Sequence, residues 1–220
     1  FNADEEGFEL ERFVNLETLS IYRPSNSVTT TLDLTPFRSL TTLTIKYDYG
    51  LKSVKFAGGP NAALENVTLW SLQSLEDFDF RDLKGLRDLD VQNCDKLSNP
   101  DFSVNEKVTW FKWLSSEVAS LDLRGMKSLE ELYCYYNYNM TQIRLPKTRT
   151  LTYINLKYNN LTGELDLSYY TSLGTLYLNY NRNLTKIELP ESEDLTYVYA
   201  YSTGLTGLDI SPVRNLATLN

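Results

Sequence analysis

Apolar residues recur along this chain in a frame of the form L-x-x-L-x-L, which returns every 21 to 24 residues. The frame begins at positions 16, 40, 64, 86, 108, 129, 151, 173, 195 and 216, with valine in place of leucine at 108. A fixed period of this length is typical of a solenoid, in which each turn contacts only its neighbours. The sequence therefore predicts a single elongated domain over residues 1–220, with nine to ten repeats.

The best-formed copy, which starts at Leu151, indicates what each repeat builds. Apolar and polar residues alternate around Ile154 and Leu156, and this alternation predicts a short strand with one apolar face. Parallel pairing with the same strand of the next repeat, at a spacing of about 4.8 Å, would bury that face. We therefore expect a mostly β coil whose first strands form one parallel sheet.

An asparagine follows the first strand in three repeats, at Asn137, Asn159 and Asn181. The chain must leave the strand there with buried peptide groups, which an asparagine side chain can satisfy. Pro24 and Leu72 occupy this position in repeats 1 and 3, so we expect those two repeats to turn differently. Four other repeats have small residues there: Asp48, Cys94, Ser116 and Thr203.

Most repeats also carry a second triplet with apolar residues on both sides of a polar one, which predicts a second wall. The last apolar residue of a triplet stands about six residues before the next frame, which leaves no room for a helix. We expect short strands, extended segments or 3₁₀ turns on this side, and few or no helices. The triplets begin at Leu32, Val54, Phe78, Leu121, Ile143, Leu165, Ile187 and Leu208.

These repeats resemble the leucine-rich repeats of 21 to 22 residues found in bacterial surface proteins, internalin-like in the broad sense. The resemblance implies a right-handed solenoid whose first strands line a concave face. It also implies a bacterial protein that is secreted or on the cell surface, with a lipoprotein anchor outside this segment as one form of attachment. The run Asn159-Asn-Leu-Thr-Gly163 resembles plant repeats of about 24 residues, but the Ile-Pro expected next is absent.

Both ends are expected to cut through a repeat. Phe8-Glu9-Leu10 fits the second triplet of a preceding repeat, and the last frame stops within a first strand. The Gly/Pro-containing patch at 57–61 precedes the frame at Leu64 and is interpreted as an insertion in a return loop.

The chain carries a net charge of −8 and has a pI of about 4.7. Nucleic acids and anionic membranes bind clustered Lys and Arg, so neither is expected as a partner. No apolar run approaches the roughly 20 residues of a membrane-spanning helix, so direct insertion of this segment is not expected. Cys94 and Cys134 lie two repeats apart, about 10 Å along the stack, and are expected to be free thiols.

The chain has no histidine, which removes the commonest general base and metal ligand. Carboxylate chemistry of the glycosidase kind, or a Lys/Tyr pair, is the catalysis that remains. We expect a non-catalytic protein with no cofactor and no metal.

Acidic residues at the centre of the second triplets could form a cation-binding stripe. Lys55 and Arg144 interrupt this series, and the interpretation we favour is solvated side chains, with Arg144 pairing with Asp122 and Asp166.

Aromatic residues gather on the outward side of the first strands in the C-terminal half. Aromatic side chains with a polar tip are common at binding hot spots, and a contiguous exposed patch is unfavourable unless a partner covers it. Tyrosine also has high β-propensity, so a structural ladder is the competing interpretation, above all for Tyr136, Tyr158 and Tyr180. The candidate ligand-binding residues are Trp110, Tyr133, Tyr135, Tyr153, Tyr177, Tyr197, Tyr199 and Tyr201.

These features predict a surface recognition module that binds a protein or peptide on its concave face. Two alternatives remain open. The same tyrosines and tryptophan could stack on a glycan, or the solenoid could be a rigid spacer without a ligand of its own.

Overall fold

The structure is a computed structural model that describes residues 13–23, 30–56 and 63–220. Parallel strands form one ten-stranded sheet, and every strand begins two residues after the start of a frame. The predicted leucine-rich-repeat solenoid is confirmed. In sheet order the strands are β1 Thr18–Tyr22, β3 Thr42–Lys46, β5 Asn66–Trp70, β7 Asp88–Gln92, β8 Trp110–Leu114, β10 Glu131–Tyr135, β12 Tyr153–Asn155, β14 Thr175–Tyr177, β16 Tyr197–Tyr199 and β17 Thr218–Leu219.

The inward residues of the first strands form a continuous core along the solenoid. The leucines that open the frames at 40, 64, 86, 129, 151, 173 and 195 are fully buried. Leu16 and Leu216, at the two ends of the described sheet, are only partly buried. Phe80, Phe102 and Trp113 pack together in the middle, with ring centroids 4.9 to 6.2 Å apart.

The second wall is built from shorter strands that form three separate parallel sheets. A 3₁₀ turn spans Phe80–Asp82, and no α-helix occurs within the described ranges. One expected strand is missing, since residues 208–210 are not a strand and Ile210 is 42% exposed. The strands of the second wall are β2 Thr31–Asp33, β4 Ser53–Lys55 and β6 Asp77–Phe78; β9 Ser120–Asp122 and β11 Gln142–Arg144; β13 Thr162–Asp166 and β15 Asn183–Glu188.

The three turn asparagines are buried and act as predicted. The Asn159 amide donates to the carbonyl oxygens of Cys134 at 2.8 Å and Leu156 at 2.9 Å. Its side-chain oxygen accepts the backbone N–H of Asn137 at 2.9 Å. Asn181 donates to Leu156 in the same way, at 2.8 Å. Each asparagine therefore joins two successive repeats through peptide groups that would otherwise be buried without partners.

The residue immediately before the turn position adopts a left-handed conformation in every described turn of the main sheet. This includes Ser71, at φ 56°, which precedes Leu72. The expectation that repeat 3 turns differently is therefore wrong: Leu72 contributes no polar group, but the backbone makes the same turn. The full set is Tyr47, Ser71, Asn93, Ser115, Tyr136, Tyr158, Tyr180 and Ser202.

The aspartates of the second wall accept backbone hydrogen bonds, a role that the sequence did not predict. Asp33, for example, accepts the N–H of Thr35, two residues later, at 2.9 Å. An aspartate in this arrangement holds the chain in an Asx turn as it leaves the second wall. The same bond is made by Asp79, Asp101, Asp122, Asp166 and Asp209.

Only part of the predicted charge pairing on this wall is present. Arg144 approaches Asp122 at 3.6 Å, whereas Asp166 binds Ser168 instead. Pairing of Arg144 with Asp166 was therefore a wrong expectation, and the preferred partner of Asp122 is Arg124, at 2.6 Å.

Cys94 and Cys134 are free and buried in the core, as predicted. Burial raises the pKa of the Cys94 thiol to about 12 and raises that of Cys134 further. The triplet at 8–10, the turn at Pro24 and the patch at 57–61 lie outside the described residues.

Candidate interaction surface

The parallel register of the main sheet places the outward residues of successive repeats side by side on the concave face. One column aligns Trp110, Glu131, Tyr153, Thr175 and Tyr197. The next column aligns Lys112, Tyr133, Asn155, Tyr177 and Tyr199. Large rings alternate with smaller residues throughout the first column and as far as Tyr177 in the second, where Tyr199 follows directly. This spacing lets rings from the two columns interleave.

Five of the eight candidate residues form one continuous stack of rings across five repeats, which we call the concave ladder. The successive centroid distances are 5.6, 4.7, 5.9 and 4.7 Å, and the last pair is parallel to within 3°. All five side chains are half-buried. The members, in order, are Trp110, Tyr133, Tyr153, Tyr177 and Tyr199.

A second stack runs along the turns and contains the three tyrosines predicted to form a ladder. Tyr158 lies 4.9 Å from Tyr136 and 4.2 Å from Tyr180, measured between ring centroids. The predicted ladder is confirmed, and we call it the turn ladder. Candidate residues Tyr135 and Tyr201 belong to its two ends, because their rings contact Tyr136 at 5.2 Å and Tyr180 at 5.1 Å.

Tyr197 stands apart from both ladders. Its side chain is 44% exposed, and it makes no ring contact with any other residue in the described part of the chain. It lies in the same column as Trp110 and Tyr153 and is the first residue of β16. The candidate residues therefore divide into a concave ladder, two ends of the turn ladder and one exposed tyrosine.

Charged groups at one end of the concave ladder hold its rings in place. The Tyr133 hydroxyl donates to Glu131 at 2.7 Å, and Lys112 binds Asp90 at 3.4 Å while lying 5.9 Å from the Trp110 ring centroid. Burial, reinforced by the bond to Glu131, raises the pKa of Tyr133 well above its usual value. Burial also raises the pKa of Tyr153. Both hydroxyls therefore remain protonated at neutral pH, and the single proton of Tyr133 is already donated to Glu131.

The ring contacts limit which parts of the ladder a ligand can reach. Each interior ring has a neighbouring ring on both sides; Tyr177 and Tyr199 are parallel to within 3°, and the other pairs are tilted by 32 to 48°. All five side chains remain partly exposed. The arrangement is pre-organised, since aromatic pairs at these distances stabilise one another by about 0.5 to 1.5 kcal/mol.

The concave face differs from the sequence prediction in two respects. Asn155 and Asn179, which the alternation of the first strands would place on the outward face, are buried, and so is Leu114. The Asn155 amide donates to the Tyr153 hydroxyl at 3.4 Å. A further aromatic group, not predicted, lies at the N-terminal end, where Tyr47 contacts Tyr22 at 5.2 Å and Trp70 at 5.4 Å.

The described residues contain no group of three or more His, Cys, Asp or Glu side chains arranged to hold a metal ion. Nor does any helix in this part of the chain have the length and apolar character needed to cross a membrane.

No protein-family model matches the chain, and neither does any curated protein. Among solved structures, the chain is similar to the functional domain of InlJ from Listeria monocytogenes, which includes a cysteine ladder. That alignment has 18% identity and a TM-score of 0.37, and it covers 86% of this chain and 46% of the other.

A leucine-rich-repeat protein of Leptospira interrogans aligns with 16% identity and a TM-score of 0.41, over 84% of this chain and 68% of that protein. The chain thus spans about half the length of the Listeria domain. Similarity at this level carries no argument about function, which rests on the geometry described above.

Proposed function

We propose that this chain is a non-catalytic recognition module of a bacterial surface or secreted protein, and that it binds a protein or peptide on its concave face. The concave ladder is the observation that carries the proposal. It presents one tryptophan ring and four tyrosine rings in a row across five repeats, about 20 Å at parallel-strand spacing. Tyrosine and tryptophan in such rows contribute large contact areas with little loss of side-chain entropy.

A protein partner fits this surface better than a glycan. Sugar rings are held by stacking on the open face of an aromatic ring, and each interior ring of the concave ladder has another ring on either side, at centroid distances of 4.7 to 5.9 Å, which restricts access to those faces. Edges and hydroxyls instead match backbone groups and apolar side chains of a polypeptide. Tyr197, the exposed ring next to the ladder, is the place where a glycan could stack, so the alternative is tested at that residue.

The proposal is tested by site-specific photocrosslinking. A benzoylphenylalanine replaces Tyr197 in one version of the protein and Tyr138, 66% exposed and beyond the turn, in a control version. Irradiation on the cells that produce the protein, and on their culture medium, is followed by mass spectrometry. We expect a protein adduct at position 197 that is absent at position 138.

Replacing Tyr177 and Tyr199 with alanine should abolish the adduct at position 197. A matched control removes two exposed tyrosines outside the concave ladder, Tyr138 and Tyr169, and should leave it intact. Equal labelling at both positions, or an adduct that survives loss of Tyr177 and Tyr199, would remove the concave ladder from the proposal. Binding on a glycan array that depends on Tyr197 would support the glycan alternative.

A further inference from the structure

The second wall of the solenoid is interrupted between two successive repeats. β9 pairs with β11 and β13 pairs with β15, but β11 and β13 do not pair with each other. Thr162 N–H still donates to the Thr141 carbonyl at 3.2 Å. Beyond this bond the two strands, β11 and β13, are not paired with each other. A cleft of about 270 Å³ lies between them, with an apolar floor of Ile143, Leu161, Leu165 and Leu184.

Ile143 shows what the interruption exposes. The equivalent residues of the adjacent repeats, Leu121 and Leu165, are 2% and 9% exposed, whereas Ile143 is only half-buried. An apolar side chain therefore remains accessible in the groove, at the break between the two short sheets.

Unused strand edges face each other across this groove. The Arg144 carbonyl accepts from Leu123 N–H at 2.8 Å and so faces β9. The peptide groups of successive residues in a parallel strand point to opposite edges, so those of Ile143 face β13. Leu167 N–H donates to β15, which by the same rule turns the Asp166 N–H toward β11. Within residues 63–220, no backbone hydrogen bond joins Ile143 to β13.

A bulge in β13 accompanies the separation. The register of β13 against β15 shifts between Gly163 and Glu164. Gly163 has φ +74°, a left-handed conformation that favours glycine, and no atom lies within 4 Å of where its Cβ would be. Gly163 thus lies between Thr162 and Glu164, two residues that line the groove.

We propose that this groove binds an extended peptide segment of a partner protein, which enters as an additional strand between β11 and β13. Its backbone would bond to Ile143 on one side and to Asp166 on the other, and its central apolar side chain would pack on Ile143 and Leu165. A strand is the one ligand that matches two parallel edges and an apolar floor together. Three residues suffice, the length of β11.

This surface lies on the wall opposite the concave ladder, so the inference does not depend on the proposed function. It is tested by NMR titration of the isotope-labelled protein with the blocked peptide acetyl-Thr-Val-Thr-Val-Thr-amide. We expect the amide signals of Ile143 and Asp166 to shift, while those of β4, a paired strand of the same wall, stay in place. N-methylation of the peptide at alternate residues should weaken binding at least about tenfold, because the backbone hydrogen bonds along one edge are lost.

A matched pair of variants locates the site. Ile143→Asp places a charge on the groove floor and should abolish the response, whereas Ser120→Asp, at an exposed position of the paired strand β9 outside the groove, should preserve it. Shifts confined to the concave ladder, no shift at millimolar peptide, or equal binding of the N-methylated peptide would each overturn the inference. The last comparison uses the unaltered protein and so holds even if Ile143→Asp does not fold.

Discussion

At the residue scale, the turn asparagines convert a local sequence feature into contacts between repeats. Asn159 makes three hydrogen bonds with buried backbone groups, two of them to the preceding repeat. Alanine at this position would leave those groups without partners, and we expect it to lower the free energy of unfolding by about 1 to 3 kcal/mol. Chemical denaturation measures the change. Asn99→Ala is the matched control, since Asn99 is exposed and bonds only Ser98, and equal effects of the two substitutions would contradict this role.

A second residue-scale prediction concerns the Asx turns of the second wall. Hydrogen bonds from Arg124 hold the pKa of Asp122 at about 2, below its usual 3.8. A carboxylate whose pKa is lower in the folded state than in the unfolded state stabilises the fold at pH values above its unfolded-state pKa. This contribution is lost as the pH falls through the folded-state pKa. Asp122→Ala should therefore lower the melting temperature at pH 7, and the difference from the unaltered protein should shrink between about pH 4 and pH 2.

Asp122→Asn is the informative comparison for that experiment, because asparagine keeps the Asx-turn acceptor but has no charge. Its melting temperature at pH 7 should fall between those of the unaltered protein and the alanine variant. A pH-independent difference between Asp122→Ala and the unaltered protein would show that the charge has no part in the turn.

At the element scale, ring contacts in the turn ladder offset the unfavourable backbone conformation of its tyrosines. Tyr158 has φ 54°, a conformation unfavourable for a residue with a Cβ, yet its ring contacts a neighbour on each side. Tyr158→Gly removes the strain and both contacts together. We expect a net loss of about 1 to 2 kcal/mol in the free energy of unfolding, since each aromatic pair contributes about 0.5 to 1.5 kcal/mol.

Ser71 provides the control for that substitution. It has nearly the same φ, 56°, but carries no ring. Ser71→Gly should therefore be neutral or slightly stabilising. If both glycine variants stabilise the protein, stacking in the turn ladder does not offset the strain.

The elements that the sequence predicted correctly are those determined by local periodicity. The frame at Leu64 or Leu151 specifies the first strand, its register and its buried face, because every repeat must bury the same face against the next. The outward position expected for Asn155 and Asn179 was wrong, because their burial depends on the side chains of neighbouring repeats. The spacing of residues within one repeat carries no information about those side chains. The groove at Ile143 escaped prediction for a similar reason, since its triplet matches those of the paired strands and only the missing partner distinguishes it.

At the scale of the whole molecule, the solenoid presents two kinds of surface on its two walls. The main sheet is continuous over ten strands and carries the concave ladder, whereas the second wall is divided into three short sheets. Continuity makes the concave face a rigid platform in which residues of distant repeats keep a fixed spacing. The breaks in the second wall are where strand edges remain accessible. Under the two proposals, the same repeat would provide recognition by side chains on one wall and by backbone groups on the other.

The central claim is that the concave ladder binds a partner and does not serve stability alone. Its most direct test is to measure, on one Tyr177→Ala/Tyr199→Ala double variant, both the melting temperature and the affinity for the protein crosslinked at position 197. We predict that affinity falls by at least about 2 kcal/mol, as expected for hot-spot aromatics, and that the protein remains folded with a lower melting temperature, because the stacked pair is lost. An unchanged affinity together with a lower melting temperature would contradict the claim and leave the ladder a purely structural device.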